Sequence, residues 1–136
     1  YMATEFNAKY QGSLRTLIIH QDSKSQLITD APKDNNGKGE SFSPTDLVAS
    51  ALASCMITII AIRAKSKNIN IGMPELAFKK IMKANPRKIA RIEISISYSV
   101  RIEEEDRNYL EYEAKNCPVA LSLDKDIIQD VRFIYA

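Results

Sequence analysis

Two cysteines, Cys55 and Cys117, occupy the settings in this sequence best suited to thiol chemistry. Cys55 lies within Ser43-Pro-Thr-Asp-Leu-Val-Ala-Ser-Ala-Leu-Ala-Ser-Cys-Met-Ile-Thr-Ile-Ile60, and Cys117 opens Cys117-Pro-Val-Ala-Leu-Ser-Leu123. A thiol is a nucleophile only as thiolate, so what matters is whether its surroundings lower its pKa. Asn116 or Cys117 can cap a short helix that opens at Pro118, and a sulfur there feels the positive end of the helix dipole, which favours thiolate. The plainer readings stay open at this point: Cys55 as a small core hydrophobe, Cys117 as an incidental cap. With no CxxC spacing and one histidine, His20, no zinc pattern exists. No metal and no cofactor is expected.

The element that positions Cys55 can be read directly. Ser43 is a good N-cap, Pro44 suits the first helical position, and Asp46 three residues after Ser43 completes a capping-box-like start. The spacing predicts a helix over residues 44–67, roughly 35 Å long at about 1.5 Å per residue. Val48, Ala51, Leu52, Cys55, Ile59 and Ile62 recur at three- and four-residue spacing, which places Cys55 on the apolar stripe, buried or nearly so. Ala49, Ser50, Ala51, Ala53 and Ser54 leave little side-chain bulk, so another backbone can approach closely. The apolar run over 47–62 is interrupted by Ser50, Ser54 and Thr58 and followed by Arg63, Lys65 and Lys67, whereas spanning a bilayer takes about 20 apolar residues. No membrane role is expected.

The remainder reads as strands around that helix. Residues 5–10, 14–21 and 26–30 form an antiparallel meander separated by Gln11-Gly12-Ser13 and Asp22-Ser23-Lys24, and residues 32–39 make a mobile loop into the helix. Residues 75–83 turn at Ala84-Asn85-Pro86-Arg87 into a long strand in which Ile92, Ile94, Ile96, Tyr98, Val100 and Ile102 alternate with polar residues, so that one face is buried. Glu103, Glu104, Glu105 and Asp106 load the first turn of a second helix that runs to Lys115. A last strand covers residues 127–135.

At 136 residues and 45 % apolar content the chain is expected to form one domain with an ordinary core. A formal charge of +2 argues against a nucleic-acid footprint. Lys79, Lys80, Lys83, Arg87, Lys88 and Arg91 cluster around a turn and read as a solvated hairpin end. Met2 is followed by Ala-Thr-Glu-Phe rather than a signal sequence, and Tyr1 reads as an addition ahead of it, so a cytoplasmic protein with a transient rather than structural disulfide is expected.

Three segments in order carry a family resemblance: Phe42-Ser-Pro-Thr-Asp-Leu-Val-Ala-Ser-Ala-Leu-Ala-Ser-Cys55, Pro86-Arg-Lys-Ile-Ala-Arg-Ile92, and Asn116-Cys-Pro-Val-Ala-Leu-Ser-Leu123. With them the chain resembles the OsmC/Ohr family, the osmotically induced protein C and organic hydroperoxide resistance proteins. The resemblance implies an α+β, OsmC-like fold over residues 1–136, with antiparallel sheets wrapped around a long central cysteine-bearing helix in an intertwined homodimer. It also implies a thiol peroxidase for organic hydroperoxides. Cys55 then matches the peroxidatic and Cys117 the resolving cysteine, the two forming a disulfide that an external dithiol reduces. The family also uses an arginine of the N-terminal hairpin, matched best by Arg15, and a carboxylate near the helix start.

At the carboxylate the sequence departs from the family's hydroperoxide reductases, which carry glutamate ten residues before the first cysteine. This chain has Thr45 there. Asp46, about 100° further around the helix and committed to capping, and Glu40 in the preceding loop are the two candidates for its replacement. The alternative function is an OsmC-fold dimer that binds a small apolar or lipid-like ligand with little peroxidase turnover.

Overall fold

Turn chemistry and alternation account for most of the elements of the computed structural model, which describes residues 3–136. The reading of Tyr1 as an addition lies outside the described residues. The chain divides into two units, one up to Leu47 and one from Val48 to Ala136.

The first unit is an antiparallel sheet of β1 (Phe6–Gly12), β2 (Arg15–His20) and β3 (Gln26–Asp30), in that order. The chain turns between β1 and β2 through Gly12, Ser13 and Leu14, all at positive φ. The segment after β3 carries local structure of its own. It forms a 3-10 turn at Lys33–Asn35, ends it at left-handed Asn36, and returns to Ala31 through the Gly39 N–H at 3.1 Å. Gly37 is required there, because a Cβ would stand 1.8 Å from the Ala31 carbonyl oxygen.

The helix α1 (Pro44–Ser66) starts as its capping residues predict. The Asp46 N–H donates to Ser43 Oγ at 3.1 Å while the Ser43 N–H donates to Asp46 Oδ2 at 2.8 Å, a closed capping box.

In the second unit α1 is followed by β4 (Glu75–Lys83), β5 (Lys88–Ser97), α2 (Glu104–Lys115), α3 (Pro118–Ser122) and β6 (Ile128–Ile134). The sheet order is β4-β5-β6. The expectation of wholly antiparallel sheets is corrected here: β4 and β5 form the antiparallel hairpin, but β6 runs parallel to β5. The connection from β5 passes through α2 and α3, and a crossover of that kind returns the chain in the same direction. The long strand is also shorter than its alternation, since β5 ends at Ser97 although Tyr98 and Ile102 remain buried.

The core joins Leu52, Met56 and Ile60 of α1 to Ile92, Ile94 and Ile96 of β5 and to Leu110, Ala114, Cys117 and Ala120. The buried stripe of α1 is Ala49, Leu52, Ala53, Met56, Ile60 and Ala64. It lies one position round from the expected stripe: Ala51 is exposed, Ile62 is half exposed, and Cys55 is half-buried rather than buried. A helix apolar nearly all round carries no contrast from which periodicity can choose the inner face. The same feature makes α1 long and apolar enough to cross a membrane by length and composition alone, at mean hydropathy 2.0. Its packed stripe is what a core helix shows.

Leu52 is fully buried, so Leu52→Ala is expected to cost about 2–5 kcal/mol. Urea unfolding should show a lower midpoint with an unchanged slope.

Candidate functional site

Two clusters contain the candidate residues, one in each unit. In the first, Arg15 opens β2 directly across the ladder from Asp30, which ends β3. The guanidinium engages the carboxylate side-on, Nε to Oδ1 and Nη2 to Oδ2, both at 2.9 Å. The Asp30 side chain is 1 % exposed and that of Arg15 35 %. Asp30 Oδ2 also accepts the Glu40 backbone N–H at 3.0 Å. Paired this way, the carboxyl falls from the ordinary 3.8 to about 2, chiefly through the Arg15 hydrogen bond, with burial opposing and the Glu40 N–H assisting. Arg15 in turn is held even more firmly protonated, first by its hydrogen bond to Asp30.

Glu40 reaches Arg15 Nη2 at 3.5 Å and is well exposed. The structure therefore brings together Arg15 and one of the two candidate acids. The other, Asp46, is engaged in the capping box, and Thr45 lies beside Ser43, the hydroxyls 3.3 Å apart. Glu40, Phe42 and Asp46 border an open hollow of about 450 Å³.

Asp30 is the residue that sequence reasoning missed. The signal was available, because a hairpin centred on Asp22 and Ser23 pairs residues whose numbers sum to 45, which puts Arg15 opposite Asp30. An acid at a strand end reads as a turn residue until that register is drawn.

The second cluster is the cysteine pair. Cys117 is the N-cap of α3, its Sγ accepting the Ala120 N–H at 3.4 Å as the proline after it predicts. Its thiol also interacts with the Cys55 side chain, so residues far apart in sequence meet. Both cysteines are unbridged, Cys55 half-buried and Cys117 fully buried. The expectation that the cap lowers the Cys117 pKa is corrected. Burial raises it, Cys55 adds to the rise, and the Ala120 N–H only partly offsets them. A five-residue helix has too little dipole to overcome complete desolvation. Among the described residues no group of three or more His, Cys, Asp or Glu side chains could hold a metal ion.

Two three-stranded sheets and a cysteine-bearing helix define an α+β protein of OsmC-like fold. The OsmC-like protein family matches residues 37–131, and the chain belongs to that family. It is similar, at 43 % identity and TM-score 0.92 over 98 % of this chain and 97 % of the other, to a protein of Psychrobacter arcticus 273-4 named for an osmotic stress induced and detoxification response. The fold also matches an organic hydroperoxide resistance protein OsmC from Legionella pneumophila, at 17 % identity and TM-score 0.79 over 98 % and 97 % of the two chains. A third match is an organic hydroperoxide resistance protein from Vibrio cholerae O1 biovar eltor with captopril bound in one of its active sites, at 16 % identity and TM-score 0.75 over 98 % and 93 %. No curated protein matches the chain.

The depressed Asp30 pKa has a signed consequence. Its stabilising contribution is complete above about pH 4 and is lost as pH falls from 3.8 toward 2. Asp30→Asn should therefore lower the thermal midpoint at pH 6 more than at pH 2.5. Parallel melting curves across that range measure the difference, and a gap that does not narrow contradicts the pairing.

Proposed function

We propose that the chain, acting over residues 1–136 as one OsmC-like domain, is a cytoplasmic thiol peroxidase that reduces organic hydroperoxides. The observation that carries this reading is the approach of the Cys55 side chain to the Cys117 thiol, close enough for each sulfur to sense the other. A half-buried thiol beside a fully buried one is an arrangement in which one sulfur can meet a substrate while the other waits for it. The substrate class is supported by family membership and by the names of the similar folds.

In the proposed cycle the Cys55 thiolate attacks one peroxide oxygen. An S–O bond forms, the O–O bond breaks, and the alkoxide leaves as alcohol after taking a proton. The resulting sulfenic acid is attacked by Cys117, whose sulfur displaces water to give the Cys55–Cys117 disulfide. An external dithiol restores both thiols by exchange and is itself oxidised to a disulfide. The elevated Cys117 pKa fits the second role better than the first, because a protonated thiol does not compete for peroxide. Arg15 is proposed as the cation that holds the thiolate and peroxide. Glu40 is proposed as its acidic partner in place of the family glutamate, since Asp46 already caps α1.

The working unit is proposed to be a homodimer. Phe6 and Tyr10 on β1, Phe78 and Ile81 on β4, and Ile128 and Ile134 on β6 are between 39 % and 68 % exposed, more large apolar surface than a soluble chain of this size usually leaves uncovered. Sedimentation at micromolar concentration should give twice the chain mass, and a stable monomer would contradict it.

One equivalent of cumene hydroperoxide should remove both titratable thiols and lower the intact mass by two hydrogen atoms. Thiols left unchanged would favour a dimer that binds an apolar ligand instead. Cys55→Ser should abolish the reaction, whereas Cys117→Ser should leave the first attack intact and accumulate sulfenic acid at Cys55, over-oxidised by excess peroxide. If Cys117→Ser is the variant that stops consuming the first equivalent, the roles are reversed.

A further inference from the structure

We infer that Asp30 is a positioning residue that sets the orientation of the Arg15 guanidinium and of the segment carrying Glu40 and Phe42. The inference rests on the proposed role of Arg15. Asp30 makes three kinds of attachment at once. Its two carboxylate oxygens take the Nε and Nη2 edge of Arg15, both at 2.9 Å. Oδ2 also takes the Glu40 N–H at 3.0 Å, and the Asp30 backbone N–H donates to the Phe42 carbonyl at 2.9 Å. The neighbouring pair of the same ladder, Thr16 and Thr29, joins its hydroxyls across β2 and β3, which holds the two strands in register beside the ion pair.

The side-on geometry decides which part of the guanidinium is left for a substrate. Nε and Nη2 are engaged by Asp30, and Nη2 also faces Glu40 at 3.5 Å. The Nη1 amino group, with two N–H donors, is the portion that neither carboxylate takes. An anion held by Arg15 therefore meets Nη1, and its position is set before it arrives. A planar fork gripped along one edge has one orientation, where a lysine ammonium on the same carboxylate would keep free rotation. Burial of Asp30 makes the grip firm, because a nearly solvent-free carboxylate has no water to exchange for its partner.

The same attachments give Asp30 a second effect. The segment from Glu40 to Phe42 runs directly into the α1 cap at Ser43. Fixing the Glu40 N–H and the Phe42 carbonyl to one residue sets where the Glu40 carboxylate stands relative to Arg15. Asp30 touches no reacting atom in this scheme and acts through these two neighbours.

The test has a spectroscopic arm and a kinetic arm. In 15N spectra the Arg15 Nε–H, assigned by its absence in Arg15→Lys, should be sharp and slow to exchange in the wild type and lost to exchange in Asp30→Asn. With cumene hydroperoxide, Asp30→Asn should slow thiol oxidation about 10- to 100-fold, the scale of a misplaced catalytic group. In an Arg15→Ala background the same change should add nothing. Arg15→Lys, which keeps the charge but not the fork, should be slowed as much as Arg15→Ala, and this arm stands even if Asp30→Asn fails to fold. The inference is overturned if Arg15→Lys oxidises at the wild-type rate. It is equally overturned if Asp30→Asn slows the Arg15→Ala protein as much as it slows the wild type. Should the wild type consume no peroxide, the peroxidase reading fails by itself, and the Nε–H signal alone decides: its loss in Asp30→Asn upholds the grip, its retention overturns it.

Discussion

The second unit depends on one constraint: α1 is apolar on nearly every side and has to be covered. Its inward stripe, Ala49, Leu52, Ala53, Met56, Ile60 and Ala64, is dry, and the isoleucine ladder of β5 belongs to the same core. Burial of that kind is worth roughly 25 cal/mol per Å² of apolar surface, which makes it the dominant favourable contribution available to a chain of this composition. The small residues in the stripe let neighbouring elements come close, and Ala114, Cys117 and Ala120 complete the same core. The position of Cys117 is thus a consequence of packing. Cys55 is one residue off the inward stripe and remains half-buried, the difference between a sulfur sealed in the core and one that solvent can reach.

The first unit is held by a different kind of interaction. Its three strands include no member of the buried apolar core. Its buried side chains on β3 are Thr29 and Asp30, both polar and both paired across the ladder with β2. A second arginine on a sheet offers a comparison. Arg91 on β5 bonds Glu93 at 2.8 Å and Asp130 at 2.5 Å, with Lys79 and Arg132 around them. Those acids keep 30 % and 22 % of their side-chain surface exposed, against 1 % for Asp30. Solvated pairs of that sort contribute little and carry no geometric demand. A buried carboxylate gripped along both oxygens does, because breaking it leaves an unpaired charge out of water.

Much of the fold was legible because local chemistry dictates it. Ser43, Pro44 and Asp46 mark the start of α1 to the residue, and the Ile92 to Ile96 alternation marks the buried face of β5. Pro118 marks the start of α3 and makes Cys117 its cap. The parallel pairing of β6 was not legible, since nothing in residues 128–134 states a direction; the crossover through α2 and α3 imposes it. The inward face of α1 was not legible either, for want of polar contrast.

The sequence by itself determined the elements, the family and the residue types that can do thiol chemistry: two cysteines, an arginine in the N-terminal hairpin, and no metal-binding pattern. Tertiary structure decided which of those groups meet and in what state. It set Cys117 against Cys55 in the core, where desolvation outweighs the helix cap and raises the thiol's pKa. It also gave Arg15 a buried partner in Asp30 and left Asp46 to its cap. The reason is common to both cases: a charge's state depends on the solvent and partners around it, and those are fixed by residues that contact it across the fold, whatever their distance along the chain.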